Sequence, residues 1–370
     1  MTGRAPALRL LVLLALVLLQ VGCYYGQAVI GHTRLLLAQQ PLEAVIADPQ
    51  TPDAVREQLL LTAELLPFAE SELGLPAAGQ YRTFVQLDRD AVVYNVVASP
   101  RFQLVPLQWC FPVAGCVSYR GYFSRTAAEQ FAERLRQQGL DVHVSGAAAY
   151  STLGWFRDPL PSTLINRPAA DLAEVLFHEL AHVRLYLPGD TTFNESFATF
   201  VGREGVRRWL AASGREELKA EWQHRLARQA EFVAFVLDWR TRMEQAYQTL
   251  AAEQGVSLPL SEDQTEPFER LREALWEAMR GHWLYTRPAS AAGYDDFFLA
   301  DANNARLNLV ADYHGDLDAF RALLARHDGD LQAFYQAVEA LAELPAEARR
   351  QALDALAEDA ASGDQPEQHQ

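Results

Sequence analysis

Basic side chains are scarce beside acidic ones: 32 Lys and Arg stand against 48 Asp and Glu in 370 residues, a formal net charge of −16. No block of Lys and Arg interrupts that balance and no RNA-binding signature appears. Nucleic acid is therefore excluded as an expected partner, because its phosphates are held by clustered cations. Cysteine is nearly absent, with three in the chain, and no second Cys or His pair near Cys110 and Cys116 completes a four-ligand zinc site. Long apolar runs are missing as well. The longest, LLVLLALVLL at residues 10–19, falls short of the ~20 residues that a membrane-crossing helix needs. There is no internal repeat. What remains is a chain 49% hydrophobic and 22% charged, enough to bury a sizeable core as one large domain or two.

The short apolar run has a purpose of its own. Arg4 and Arg9 precede it, and Gln20-Val21-Gly22-Cys23 follows, the layout of a secretory signal over residues 1–22. Gly22-Cys23 resembles the lipobox of bacterial lipoproteins, in which the signal is removed before the Cys and the Cys is lipidated. Gln20 departs from the aliphatic residue usual there, and an uncleaved anchor is the alternative. Both readings export the rest of the chain. The resemblance implies a lipid-anchored protein facing the periplasm, and Tyr24 in place of an Asp retention signal favours the outer membrane. With Cys23 lipidated, Cys110 and Cys116 form an even pair around the loop FPVAG, where an exported protein permits a disulfide.

Periodicity predicts amphipathic helices over 27–47 and 52–73, then a hairpin over 81–99 turning at Leu87–Asp90. Further strands are expected in FQLVPLQW, CVSYRGYF and DVHVSG, with a short helix at 126–138. After residue 168 nearly everything reads helical: 169–187, 195–211, 215–253, 265–284, 301–313, 316–326, 330–343 and 345–361. Strands early and helices late give an α+β class, not an alternating α/β fold. The expected division is an N-terminal helix-and-strand region over 23–160, a helical region over 161–361 and a polar, disordered tail over 362–370.

One stretch carries chemistry. In VLFHELAHVRLY (175–186), His178 and His182 are i and i+4 on a helix opened at Pro168, so both imidazoles leave one face about a turn apart. That spacing lets both bind one zinc ion, and Glu179, one residue round, can reach the attacking water as general base. A catalytic zinc takes a third protein ligand, and Glu195 in NESFA is the expected one. Its competing role is local: Thr192-Phe193-Asn194-Glu195 reads as a capping box, with Thr192 at the N-cap. Glu204 is the alternative ligand, and Asn194 either orients Glu195 or caps the helix.

HExxH followed by a Glu on a second helix resembles the gluzincin metallopeptidases, although the 13 positions from His182 to Glu195 are fewer than in familiar members. WCFPVAGCVSYRGYF, DVHVSGAAAYSTLGWFRDPL, VLFHELAH, NESFATFVG and NNARL resemble a family of bacterial "putative aminopeptidases", over most of the chain from about Gly22 to near residue 350. The resemblance implies a zincin-like catalytic region with zinc on His178, His182 and Glu195, Glu179 as base, a peptide substrate and a lipoprotein anchor. In such a frame AAAYSTLGWF would supply a substrate-side edge strand at Tyr150–Gly154. A transition-state donor would come from the late cluster Asn303, Asn304, Arg306, Tyr313 and His314. His143, alternating with valines, reads as a structural residue. AAAYSTLGW holds no carboxylate to receive a substrate's free amine, so exo- and endopeptidase readings both stand. A non-catalytic envelope scaffold with a structural metal is the alternative from another class.

Overall fold

The computed structural model describes residues 24–299 and 302–363. The signal segment and Cys23 lie outside them, as does the tail beyond residue 363. The architecture is mixed α+β, with small sheets packed beside a larger helical body.

The first helix, α1, spans residues 24–37. It stops well short of 47, because Gln40–Pro41 leaves the helix to form strand β1 before the short α2 (Leu42–Ala47). Pro41 lacks the amide hydrogen and the φ freedom to continue a helix from a preceding turn. Then α3 (Asp53–Ser71) buries Leu59, Leu65, Leu66 and Ala69 on one side.

The expected hairpin does not form. β2 (Thr83–Val85) pairs with β1 and, in parallel, with the distant β8 (Leu160–Pro161). β3 (Val93–Pro100) instead becomes the centre of a second sheet, antiparallel to both β6 (Tyr119–Tyr122) and β7 (Leu140–Ala147). Nearly every β3 residue is buried. Alternation and a polar turn identify two strands, but which neighbours they pair with is settled by which faces are buried. Between β3 and β6, β4 (Trp109–Phe111) and β5 (Gly115–Val117) make a small hairpin in which Cys110 and Cys116 are opposite and disulfide-bonded. Residues 102–108 of FQLVPLQW carry no strand. Helix α4 (Arg125–Arg136), capped by Ser124, covers one face of the sheet: Ala128, Ala132 and Leu135 pack on Tyr94, Val96 and Ala98. The alternate residues of β3, Val93 and Asn95, line a cleft on the other face. His143 sits in β7 opposite Val97, outside that cleft.

Two helices define the centre. α5 (Ala169–Arg184) starts after Pro168, which stands at the N-cap, and ends at extended Leu185, several residues before the Pro188-Gly189 turn. α6 (Thr191–Ser213) returns antiparallel and ends on left-handed Gly214. Leu172, Ala173, Leu176, Phe177, Leu180 and Ala181 of α5 pack with Phe193, Phe197, Ala198 and Val201 of α6 in the main core. Each large side chain so buried is worth roughly 1.5–3 kcal/mol. The close approach depends on Gly202: a Cβ there would lie 2.8 Å from the Glu174 carbonyl oxygen and 3.3 Å from the His178 Cβ.

The remaining helices are α7 (Glu216–Gln254), α8 (Thr265–Thr286), the short α9 (Asp295–Leu299), α10 (Asn304–His314), α11 (Leu317–Arg326), α12 (Leu331–Ala342) and α13 (Ala346–Gly363). α7, α8 and α9 enclose an aromatic core that includes Phe232, Trp239, Trp276, Trp283 and Phe298. α11, α12 and α13 extend the main core, which also takes in Leu42, Leu66 and Phe84. Residues from both sides of position 160 therefore share one core. No described helix is long and apolar enough to cross a membrane.

Candidate metal centre

α5 carries two stripes. The apolar one faces α6 and α3; the other, Asp171, Glu174, Val175, His178, Glu179 and His182, lies along the floor of a 920 Å³ cleft. The spacings i, i+3, i+4, i+7, i+8 and i+11 put all six on one side of a helix. Glu195 comes from the second turn of α6, followed one and two turns later by the cleft residues Thr199 and Arg203.

The three residues His178, His182 and Glu195 converge. Their imidazole Nε2 atoms are 3.1 Å apart, and Glu195 Oε2 lies 3.4 Å from the first and 3.6 Å from the second. Such separations exceed ordinary N–H···O bonds, and Oε2 stays buried without a hydrogen-bond partner, as does His182 Nδ1. An unpaired buried carboxylate oxygen facing two imidazole nitrogens is costly unless a cation lies between them. Two His and one Glu, with their ligand atoms all within 4.8 Å of one another, make a donor set that fits a divalent metal, and zinc in particular. This is the one such group among the described residues.

The competing roles of Glu195 resolve in the local hydrogen bonding. The α6 N-cap is Asp190, two residues before Thr192: its carboxylate accepts from the Phe193 amide at 3.1 Å and is gripped by Arg349 at 2.8 Å. The Asn194 side chain neither caps the helix nor orients the Glu195 carboxylate. Its amide holds both polar groups of Leu187, accepting from N–H and donating to C=O at 2.7 Å each, which pins the α5–α6 turn. Glu204 is bound by Arg207 and Arg208 at 2.6 and 2.7 Å.

Charge around the cluster is one-sided. Burial opposes the charged form of Glu195, but the two imidazoles outweigh it and hold the carboxyl below its usual range. For Glu179 burial dominates and pushes the carboxyl up, against the pull of the same imidazoles. Tyr313 stacks on His178 with ring centres 6.0 Å apart. The Glu195 charge, and then burial, drive its phenol well above the ordinary tyrosine value, so it keeps its proton as a donor. Tyr119 on β6 is shifted the same way by burial and then Glu195, and Tyr186 reaches the hairpin loop through the Ala114 carbonyl at 3.2 Å. Both line the cleft. Sequence reasoning missed them, although Tyr186 stands four residues beyond His182.

The late cluster divides. Tyr313 and His314 line the cleft; burial, then Arg203, lowers the His314 imidazole to about 3, which leaves it neutral. Asn303 caps α10 and donates to the Val142 carbonyl at 3.1 Å. Asn304 is buried and donates to the carbonyls of Pro100 and Arg101. The Arg306 guanidinium lies 4.4 Å over the Phe297 ring. The structure brings none of these three to the cluster. Asn303 and Arg306 sit at the N-terminal end of α10, which presents only its C-terminal end to the site.

The edge-strand segment is also displaced. β7 is an edge of its sheet, but it ends at Ala147, and residues 148–156 continue as bends and turns. Gly146, Ala147, Ala148 and Ala149 flank the cleft, followed by Tyr150. Gly154 has φ +81 in a turn, with Leu153 also left-handed, a geometry that ends strand pairing. Asp158 braces this turn by accepting from the Thr152 amide and hydroxyl at 2.8 Å each. Burial raises its carboxyl to about 6. A raised carboxyl makes folding favour the proton, so its cost is absent below pH ~4, grows as pH rises towards 6 and is complete above. Asp158→Asn should therefore abolish the loss of about 3 kcal/mol of stability that accompanies the rise in pH across that window, read by urea unfolding at pH 4, 5, 6 and 7. An unchanged slope would refute the assignment.

The family described as Putative aminopeptidase matches residues 23–353. The chain belongs to that family. No curated protein and no solved structure matches the chain, so within this Putative aminopeptidase member the residue roles rest on the geometry above.

Proposed function

We propose that this chain is a zinc-dependent peptidase of the HExxH type, with a zincin-like arrangement of α5 and α6, anchored in the bacterial envelope. The observation that carries the reading is the convergence of His178, His182 and Glu195 on the cleft floor with the Glu179 carboxylate beside them. Zinc held by those three residues would polarise a peptide carbonyl and lower the pKa of water. Glu179 takes the proton of the attacking water and returns it to the leaving amine. Burial raises its proton affinity above that of a free carboxylate, the direction that helps it hold the proton between the two halves of that transfer. Tyr313 donates its O–H to the oxyanion that develops on the former carbonyl oxygen. Val93 and Asn95 of β3, Gly146–Ala149 and Tyr119 form walls against which a bound peptide would displace water, and that would strengthen each of these interactions.

Tyr313→Phe is expected to lower kcat by roughly 10²–10³-fold, the effect of losing one oxyanion donor. KM and zinc content should stay near those of the parent. A loss expressed in KM alone would assign Tyr313 to substrate binding instead.

The family description points to release of N-terminal residues, which requires an acid to hold the substrate's ammonium group. The cleft-lining carboxylates among the described residues are Asp171, Glu174, Glu179 and Glu195. Asp171 and Glu174 are each paired with Arg225 at 2.8 Å, and Glu174 also with Arg203. That pairing favours endopeptidase cleavage as a second reading. A peptide and its N-acetylated form decide between them: equal rates support internal cleavage, and loss of hydrolysis on acetylation supports the aminopeptidase reading.

A further inference from the structure

The start of the described chain is fixed to the cleft wall. Tyr24 stacks on Phe111 of β4, with ring centres 5.6 Å apart, and meets Tyr122 edge-on at 5.5 Å. The Arg120 guanidinium covers it at 4.0 Å. Tyr24, Tyr25, Ala28 and His32 of α1 all line the cleft that holds the metal cluster. Cys23, which lies outside the described residues, directly precedes Tyr24 in the sequence. No linker separates the anchoring position from the cleft.

The surface around that point is apolar. Val29 and Ile30 on α1 are 64% and 54% exposed, Val113 at the tip of the disulfide-bonded hairpin 49%, and Trp155 and Phe156 in the turn after Gly154 71% and 50%. Val113, Trp155 and Phe156 line the cleft itself. Phe156 packs on His32 of α1 with ring centres 4.7 Å apart, which ties the Trp155–Phe156 segment to α1. Exposed Val113, Trp155 and Phe156 in the cleft lining, with exposed Val29 and Ile30 on the helix that follows the anchoring position, match the composition that settles at the headgroup boundary.

We infer that the mouth of the cleft rests on the lipid surface, with α1, the β4–β5 tip and the Trp155–Phe156 loop in contact with the headgroup layer. The occupant of this apolar rim is the bilayer, whether the chain is held by lipid on Cys23 or by an uncleaved apolar segment over residues 10–19. The inference rests on the envelope-anchoring part of the proposed function. Its consequence is a substrate restriction: the metal cluster receives polypeptide lying along the membrane surface, and soluble peptides approach only through the gap at the rim.

The test uses the full chain in phosphatidylethanolamine–phosphatidylglycerol vesicles with a nitroxide quencher at headgroup depth. Val29→Cys and Trp155→Cys are each labelled with a fluorophore. Tyr285→Cys on α8, at a site 91% exposed, is the distal control, and the unsubstituted chain is the blank. Most of the fluorescence should be lost at 29 and at 155 and retained at 285, with full recovery in detergent. Equal quenching at all three sites, no quenching at 29 and 155, or failure of the protein to float with the vesicles overturns the inference. Zinc content and hydrolysis of a soluble peptide, measured on the same samples, report separately on the peptidase reading.

Discussion

Glu179→Gln should reduce kcat for peptide hydrolysis by roughly 10²–10⁴-fold, the range contributed by a positioned general base, while zinc content stays unchanged. The substitution keeps the shape of the side chain and removes its ability to hold a proton. Glu179 is half-buried on the cleft floor, beside two imidazoles and 16 positions before the Glu195 carboxylate, but it lies outside the three-residue ligand cluster. A base and a ligand therefore separate cleanly: loss of the base should spare metal binding, whereas loss of a ligand should not. Hydrolysis that survives Glu179→Gln sinks the mechanism. Protein purified without zinc sinks it too.

The second large effect is expected at Glu195. Glu195→Ala should weaken zinc binding by more than the roughly 10–100-fold that removal of an outer hydrogen-bond partner costs, because it deletes a direct ligand. Its neighbours offer no substitute. Glu204 is held by two arginines, Asp190 caps α6 and Asp312 accepts from Ser118 and Thr192. A ligand that binds only the folded state adds about 4 kcal/mol at a free concentration 1,000 times its Kd. Chelation should thus lower the unfolding temperature of the parent protein and leave that of Glu195→Ala almost unmoved. Glu204→Ala is the companion variant, with parental zinc content expected. If Glu204→Ala loses zinc and Glu195→Ala retains it, the ligand assignment is reversed.

The helices were far more legible than the sheets. Segments such as 215–253 and 316–326 announce themselves through local periodicity, and the structure has helices at Glu216–Gln254 and Leu317–Arg326. Strand pairing is not local. Nothing in TFV or VYNVVASP tells that the first joins residues 40–41 and 160–161 while the second lies between 119–122 and 140–147. The same reason explains the late cluster: NNARL and DYHG share a helix, yet only the end bearing Tyr313 and His314 reaches the cleft.

By itself the sequence determined the helix that carries the histidine pair, since i and i+4 spacing within one apolar segment fixes the relation of His178, Glu179 and His182 without any other part of the chain. It also determined the acidic balance, the α+β class and the family resemblance. The tertiary structure decided the rest. Glu195 could be a cap or a ligand until Asp190 took the cap and the α5–α6 turn, pinned by Asn194, brought the carboxylate to the imidazoles. Tyr313 could be any polar helix residue until α10 packed its C-terminal end against His178. Periodicity specifies which side chains share a face of one element; only packing specifies which faces meet, because that depends on burial summed over elements far apart in the chain.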